Sequence, residues 1–307
     1  MSDSILLLHE HLAPLAAAFG ATPAHRGWEP LPPGGESDIR AIVMGGEFPL
    51  DRALAERLPK LGLIACIGAG YDGVDVAWAR GRGLEVTHAP QVNASDVADH
   101  ALGLVLASRR GILVGDRALR TGGWTRESRI ITRGVGGQRV GVVGLGAIGV
   151  AVARRCEACE MSVSWWGPRE KPDARWARAD SLQALASASD VLVVCARAEE
   201  SNRGLISREV LEALGPKALL VNVSRGQVVD EAALIEALRT GTLGAAALDV
   251  FAEEPTPAEL WADVPNTVLT PHMAGSTAGA VQTMVRLLVE NVSLFLAGQP
   301  VRTPVPG

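Results

Sequence analysis

Short aliphatic runs recur along the chain, separated by longer stretches in which apolar residues return every three or four positions. The runs fall at residues 5–8, 41–44, 63–67, 84–87, 140–143, 162–166, 191–194, 218–223, 244–248 and 267–269. Most are apolar at consecutive positions, which marks strands covered on both faces. Such strands alternating with helical patterns predict βαβ units, and therefore an α/β fold on parallel sheets. There are too many for one sheet of ordinary size. A break is visible after the apolar helical pattern of residues 96–109: residues 121–138 are rich in Gly, Arg and Thr and have no period, and a new strand then starts at Arg139. The residues by themselves divide the chain at this break into two α/β halves. The last helical pattern, 277–297, lies beyond the final strand and can pack back on the first half. The Pro/Gly cluster at 30–35 reads as a surface loop.

Length agrees with two domains, since 307 residues exceed the usual size of one hydrophobic core. The net charge of -5 supplies no basic stripe for phosphates, so a nucleic-acid partner is not expected. The 5–8 run follows Asp3 and is too short for a secretory signal. No stretch is expected to reach the roughly 18 apolar residues of a membrane span. A cytoplasmic protein without a membrane partner is the expectation. Four cysteines, Cys66, Cys156, Cys159 and Cys195, do not make a disulfide framework. Cys156 and Cys159 form a CxxC inside a helical pattern, with no second pair at zinc spacing. Reduced, structural thiols and no metal site follow.

The most informative loop is Gly144-Leu145-Gly146-Ala147-Ile148-Gly149, a GxGxxG directly after the strand 140–143 and directly before a helical run. In that setting the first Gly permits the tight turn, the second lets a pyrophosphate approach the backbone, and the third lets helix and strand pack closely. The helix N-terminus then faces the anion. An NAD enzyme would carry an Asp or Glu at the end of the next strand, 162–166, to grip the ribose hydroxyl. This chain has Gly167-Pro168-Arg169 there, with Lys171 close behind. Loss of the carboxylate removes repulsion of a 2'-phosphate, and Arg169, with its bidentate fork, is the better of two cations to bind one. NADPH/NADP is favoured over NADH; a solvated turn is the competing reading.

Three further segments end strands or follow them: 221–226 with Arg225, 248–255 with Asp249 and Glu254, and 270–277 with His272. The carboxyl ends of parallel strands line the ligand crevice. Reduction of a keto acid needs a permanent cation for the carboxylate and carbonyl, an acid for the developing alkoxide, and a hydride donor. Arg225 suits the first. His272 suits the second, with a reference pKa of about 6.5. Glu254 is the candidate partner for its other ring nitrogen.

Taken with Gly68-Ala69-Gly70-Tyr71-Asp72, Val74-Asp75, Val97-Ala98-Asp99, VNVSRGQVVDE (221–231), ALDVFAEEP (247–255) and TPHMAGST (270–277), the chain resembles the D-isomer-specific 2-hydroxyacid dehydrogenases, and among them the glyoxylate/hydroxypyruvate reductases. The resemblance implies a flavodoxin-like substrate domain from the two chain ends (1–98 and 277–307) and an inserted NAD(P)-binding Rossmann domain (99–276). It implies that Arg225 binds and polarises a small 2-keto acid, that His272 is the acid/base and that Glu254 pairs with it. It also implies that the amides of Ala69 and Gly70 receive the substrate carboxylate, that Asp249 holds the nicotinamide carboxamide, and that the protein is a homodimer. Cys195, Asn202, Val223, His272 and Gly275 complete the candidate cofactor-binding set. Two departures stand out: Ala94 where relatives often have Thr, and Arg197 where many have Pro. Arg197 faces either the adenosine phosphate or solvent.

Other functions remain open to the same motifs. One is a dinucleotide-sensing scaffold or corepressor, against which the intact Arg225/Glu254/His272 set argues. Another is a phosphoglycerate, formate or phosphite dehydrogenase; the first is weakened because no regulatory domain is appended after residue 307. His9, His11, His25, His88 and His100 show no metal spacing and no evident carboxylate partner, and read as structural. His9 and His11, after the first strand, retain a substrate contact as the lesser option. Residues 45–48, after the second, form either a substrate-pocket wall or a plain loop. Trp165 and Trp166 read as packing beneath the adenosine side.

Overall fold

The computed structural model describes residues 3–306. It divides into two compact units, Met1–Asn93 with Ala278–Gly307, and Ala94–Thr277.

In the first unit, β1 (Ser4–Leu7), β2 (Ala24–Arg26), β3 (Ile39–Met44), β4 (Leu63–Cys66) and β5 (Glu85–Thr87) form a parallel sheet in the order β2-β1-β3-β4-β5. Successive side chains of a strand face opposite sides. Ile5, Leu7, Ala41, Val43, Leu63 and Ala65 therefore meet Leu12 and Phe19 and the C-terminal helix Ala278–Leu296 on one face, while Leu6, Ile42, Met44, Ile64 and Cys66 meet Val74, Ala79 and Val305 on the other. The short helices α1 (Arg52–Glu56) and α2 (Val76–Gly81) start where Asp51 and Asp75 accept main-chain hydrogen bonds from Ala53 and Trp78.

The C-terminal helix corrects one expectation. With 19 residues at a mean hydropathy of 1.2 it is long and apolar enough to cross a membrane, which no stretch was expected to be. Its buried positions, Ala280, Met284, Leu288, Asn291 and Val292, return every three or four residues, the stripe of a helix lying on a core. Arg286 and Glu290 lie outside that stripe.

In the second unit, β6 (Arg139–Val143), β7 (Ser162–Trp166), β8 (Ala177–Arg178), β9 (Val191–Val194), β10 (Leu219–Asn222), β11 (Ala245–Leu248) and β12 (Thr267–Leu269) form a parallel sheet in the order β12-β11-β10-β9-β6-β7-β8. The helices are α3 (Ala94–Arg109), α4 (Ile112–Arg120), α5 (Ala147–Ala158), α6 (Leu182–Ser187), α7 (Arg208–Leu214), α8 (Glu231–Thr240) and α9 (Ala258–Trp261). Val140, Val142, Val191, Val193, Leu219 and Val221 pack under α3 and α5; Leu192, Val194 and Leu220 pack under α6, α7 and α8. From β6 the chain runs outward through β7 and β8, then returns to the other side of β6 with β9. The order reverses between β6 and β9, and in sheets of this kind ligands bind beyond the carboxyl ends of the strands at such a point.

The aperiodic segment 121–138 is not a boundary between units. Helix α3, which precedes it, packs on β10, β11 and α5 and so belongs to the second unit. The division falls at Asn93/Ala94 and Thr277/Ala278, not at 98/99 and 276/277, because α3 is one continuous helix from Ala94. The edge strands β2 and β8, three and two residues long, were not anticipated.

Leu288 is 2% exposed on the sheet-facing stripe of the C-terminal helix. Leu288→Ala should lower stability by about 2–5 kcal/mol, measured by denaturant unfolding. A loss below 1 kcal/mol would contradict the packing of this helix on the first sheet.

Candidate active site

The loop after β6 is shaped by close backbone approach. Gly144 has φ +90°, and a Cβ there would lie 2.8 Å from Cα of Ala196. At Gly149 a Cβ would lie 2.1 Å from the Gly144 carbonyl oxygen, so only hydrogen fits and α5 packs directly on the turn. Around Gly146 the opposite holds: nothing stands within 4 Å of where its Cβ would be. Residues Ala147 and Ile148 open α5, whose first-turn amides point outward from the helix end. Tight at both ends, open in the middle and facing a helix N-terminus, this cradle fits a pyrophosphate.

At the end of β7, Gly167 is followed by exposed Arg169 and Lys171. Neither side chain makes a hydrogen bond or ion pair among the described residues. A Cβ at Gly167 would come no closer than 3.5 Å to Trp165 and 4.0 Å to Gly144 Cα, ordinary van der Waals contact, so a side chain can be accommodated. Arg178 of β8, which sequence reasoning missed, donates to the Gly167 carbonyl at 2.9 Å and lies over the Trp165 ring. Trp165 is buried, and its Nε1 donates to the Trp176 carbonyl at 3.1 Å.

The three remaining loops follow β10, β11 and β12, which are hydrogen-bonded neighbours. In the first, Asn222 Oδ1 accepts from the Ser224 amide and hydroxyl, and its Nδ2 donates to the Arg225 carbonyl. This binds the turn that carries Arg225. The next residue, Gly226, abuts the second loop: a Cβ there would lie 1.8 Å from the Phe251 carbonyl oxygen. That second loop closes on itself, since Glu254 Oε1 accepts from the Phe251 amide at 2.9 Å. The other carboxylate oxygen, Oε2, is 2.6 Å from Nδ1 of His272 in the third loop.

Asp249, at the end of β11, is 1% exposed and braces the third loop. Its carboxylate accepts from the Thr270 hydroxyl at 2.6 Å and from the amides of Met273 and Ala274 at 3.0 and 2.9 Å, while its carbonyl accepts from the His272 amide. The turn is tight enough to hold His272 at φ +48°. His100, expected to have no carboxylate partner, corrects that expectation: its Nε2 is 2.9 Å from the Thr270 hydroxyl and 3.4 Å from Asp249. A helix residue far away in sequence gave no local sign of this contact.

The hydrogen bond with Glu254 raises the pKa of His272, against burial, which lowers it. Arg225 also opposes protonation, and Asp249 favours it. For Glu254, burial pushes the carboxyl up, but the hydrogen bonds from His272 and the Phe251 amide outweigh it and hold the pKa below the ordinary value. The pair is thus an imidazolium and a carboxylate over a wider pH range than either group alone. With Nδ1 engaged by Glu254, Nε2 is the nitrogen left to exchange a proton with a ligand.

Of the other candidates, Val223 is buried after β10, and Cys195 follows β9 with its thiol pushed up by burial. Gly275 lies in the braced third loop. Asn202 holds the 197–202 loop: its Oδ1 accepts from the Glu199 amide and its Nδ2 donates one hydrogen to the Arg197 carbonyl. In the first unit, Ala69 and Gly70 lie in the loop after β4, and His9 and His11 stack on each other, with the Phe48 ring tilted against both. Among the described residues no cluster of His, Cys, Asp or Glu could hold a metal ion.

Residues 102–274 match the model of the D-isomer specific 2-hydroxyacid dehydrogenase NAD binding domain. The chain is 40% identical over 267 residues to a hydroxyphenylpyruvate reductase of Plectranthus scutellarioides, covering 87% of this chain and 85% of that one. A 2-hydroxyacid dehydrogenase from Ketogulonicigenium vulgare has a similar structure, with a TM-score of 0.92, 39% identity and coverage of 100% of this chain and 99% of that one. So does an NADPH-dependent glyoxylate/hydroxypyruvate reductase from Sinorhizobium meliloti, solved with NADP and malonate, with a TM-score of 0.91, 33% identity and coverage of 99% and 97%.

Glu254→Gln removes the charge that stabilises the imidazolium. The pKa of His272, followed by an NMR titration of its ring, should fall below the wild-type value. Because that pKa is raised in the folded protein, the pair stabilises the fold at pH below the ordinary histidine range and loses this contribution as pH rises through the raised value. An unchanged titration would show that Glu254 does not govern His272.

Proposed function

The chain belongs to the D-isomer specific 2-hydroxyacid dehydrogenases, and on that premise we propose that it reduces small 2-keto acids, such as glyoxylate and hydroxypyruvate, to D-2-hydroxy acids with NADPH. The observation that carries the proposal is the His272–Glu254 pair at 2.6 Å, on loops packed beside the Arg225 turn at the same sheet edge as the dinucleotide loop.

NADPH, when bound, supplies the hydride. Arg225 holds the keto-acid carboxylate and draws electron density toward the carbonyl oxygen, which makes the carbon electrophilic. As the oxygen gains charge, His272 gives it the proton on Nε2, and Glu254 stabilises the charged ring until that transfer. The neutral imidazole keeps its Nδ1–H hydrogen bond to Glu254. Oxidation of the hydroxy acid uses the same groups in reverse, with His272 as base. Asp249 keeps His272 in place and has capacity left for the nicotinamide carboxamide. By the resemblance, the amides of Ala69 and Gly70 are assigned to carboxylate binding.

The choice of NADPH rests on Gly167, Arg169 and Lys171, with Arg178 beneath the turn. The relative solved with NADP supports it. Hydrogen bonds to charged groups contribute roughly 1.5–3 kcal/mol each, which corresponds to about one to two orders of magnitude in kcat/KM. A panel of 2-keto acids with both cofactors should show turnover, with this preference for NADPH. Arg169→Ala should erase most of it by weakening NADPH alone, and Gly167→Asp should favour NADH. Equal use of both cofactors by the wild type, or equal loss in Arg169→Ala, would overturn the cofactor assignment; absence of any turnover with bound NADPH would overturn the reaction.

A homodimer belongs to the same proposal. Helix α4 has a polar and an apolar side yet contributes no buried residue to its unit. Ile112, Leu113, Val114, Leu119 and Trp124 are each more than half exposed, and Ile131 almost fully. A second copy of the chain is the occupant that closes such a patch by symmetry. Light scattering should give twice the 32.1 kDa of one chain, and Val114→Glu should shift the mass toward the monomer. A monomeric wild type would contradict the dimer. A reducing, cytoplasmic setting fits the free cysteines, of which Cys66 and Cys156 are buried with thiols pushed up to about 12.

A further inference from the structure

In the first unit, the Gly68–Ala69–Gly70 loop presents two main-chain amides, those of Ala69 and Gly70, that have no hydrogen-bond acceptor among the described residues. The cause lies on the other side of the loop. The Ala89 amide donates to the Gly68 carbonyl at 2.8 Å. Nδ1 of His88 is 2.9 Å from the Ala69 carbonyl oxygen. A carbonyl oxygen only accepts, so Nδ1 carries a hydrogen and donates it.

In a trans peptide the C=O and N–H bonds point to opposite sides. The Gly68 carbonyl shares its peptide plane with the Ala69 amide, and the Ala69 carbonyl shares its plane with the Gly70 amide. Two adjacent residues, His88 and Ala89, draw both carbonyls to one side, so both amides turn together to the other. A pair of aligned N–H groups is an anion site. The Ala89 contact is made by backbone, and any residue but proline would supply it. The His88 contact is made by the side chain.

We infer that His88 is a positioning residue for the substrate carboxylate: its Nδ1–H fixes the Ala69–Gly70 peptide so that the Gly70 amide faces the anion. This rests on the proposed role of Ala69 and Gly70 as carboxylate donors. Hydrogen bonding at the carbonyl end of a peptide also polarises it and strengthens its N–H as a donor. His88 is itself firmly held. Its amide donates to the Thr303 carbonyl at 3.2 Å, its carbonyl accepts from the Thr303 hydroxyl at 2.6 Å, and its ring stands edge-on to Tyr71 with centroids 5.0 Å apart. The imidazole arrives at Ala69 already oriented, with little freedom to lose.

The test uses the enzyme saturated with NADPH and oxamate as the carboxylate probe. His88→Leu should weaken oxamate binding and raise KM for glyoxylate about ten-fold, with kcat reduced less and NADPH affinity unchanged. His88→Asn places an amide N–H close to where Nδ1 stands and should restore most of the loss. Ala69→Pro deletes one of the two amides without touching His88 and should also weaken oxamate. Thermal melts establish that each variant is folded. If Ala69→Pro binds oxamate like the wild type, the carboxylate assignment fails. If Ala69→Pro is impaired while His88→Leu is not, or if Asn rescues nothing, the role of His88 fails. Loss of oxamate and NADPH binding together in folded His88→Leu would also overturn it.

Discussion

The second unit depends on one close approach, that of the Arg225 turn to the main chain at Phe251. With a Cβ 1.8 Å from a carbonyl oxygen excluded, position 226 has to be glycine. Its absence of a side chain is what lets the loops after β10 and β11 lie in contact. The cation and the carboxylate reach one neighbourhood because of that contact. Parallel pairing alone would set these strand ends about 5 Å apart but would leave the loops free to diverge. The approach therefore converts a property of the sheet into a property of the site.

Around this contact, polar groups are paired so that few side chains at the site are free to move. Asn222 ties its own turn, Glu254 closes its own loop, and Asp249 holds the third loop by two amides, a hydroxyl and the His272 amide. Buried carboxylates are costly unless their oxygens are satisfied by hydrogen bonds. Asp249 meets this condition fully at 1% exposure. His272 sits at positive φ, a conformation that is uncommon outside glycine and persists only where the surroundings fix it. His272 is thus placed by main-chain bonding to a buried anion, and the hydrogen bond with Glu254 is the largest influence on its pKa, which Asp249 also raises.

Much of this was legible in the sequence. The consecutive apolar runs located ten of the twelve strands among the described residues, since strands buried on both faces carry a strong local signal. The two that were missed, β2 and β8, are short and sit at sheet edges, where one partner and solvent exposure leave no such signal. Arg225, Glu254 and His272 were singled out because each lies in a segment that follows a strand, and the structure pairs two of them, Glu254 and His272. His88, His100 and Arg178 were not, because their partners, Ala69, Thr270 and Gly167, are defined only by tertiary contact. Asn202 was singled out by position, and the structure adds that its side chain ties the 197–202 loop through Glu199 and Arg197. The aperiodic segment 121–138 resembled a linker because nothing in its composition records that α3 packs under the following sheet.

The division of the chain also orders the events of its synthesis. The second unit is one unbroken stretch, so it can begin to fold as soon as its last strand has left the ribosome. The first unit has no such option. Strand β5 receives the Val305 amide at Val86, and its Thr87 bridges Pro304, so the early half of this unit waits for the far end of the chain. During that interval the apolar face that the C-terminal helix will cover is open, and loop closure spans the whole inserted unit. Mutations that slow folding of the inserted unit should therefore lengthen the exposure of a surface to which they make no contact, and aggregation would begin in the unit that was never altered.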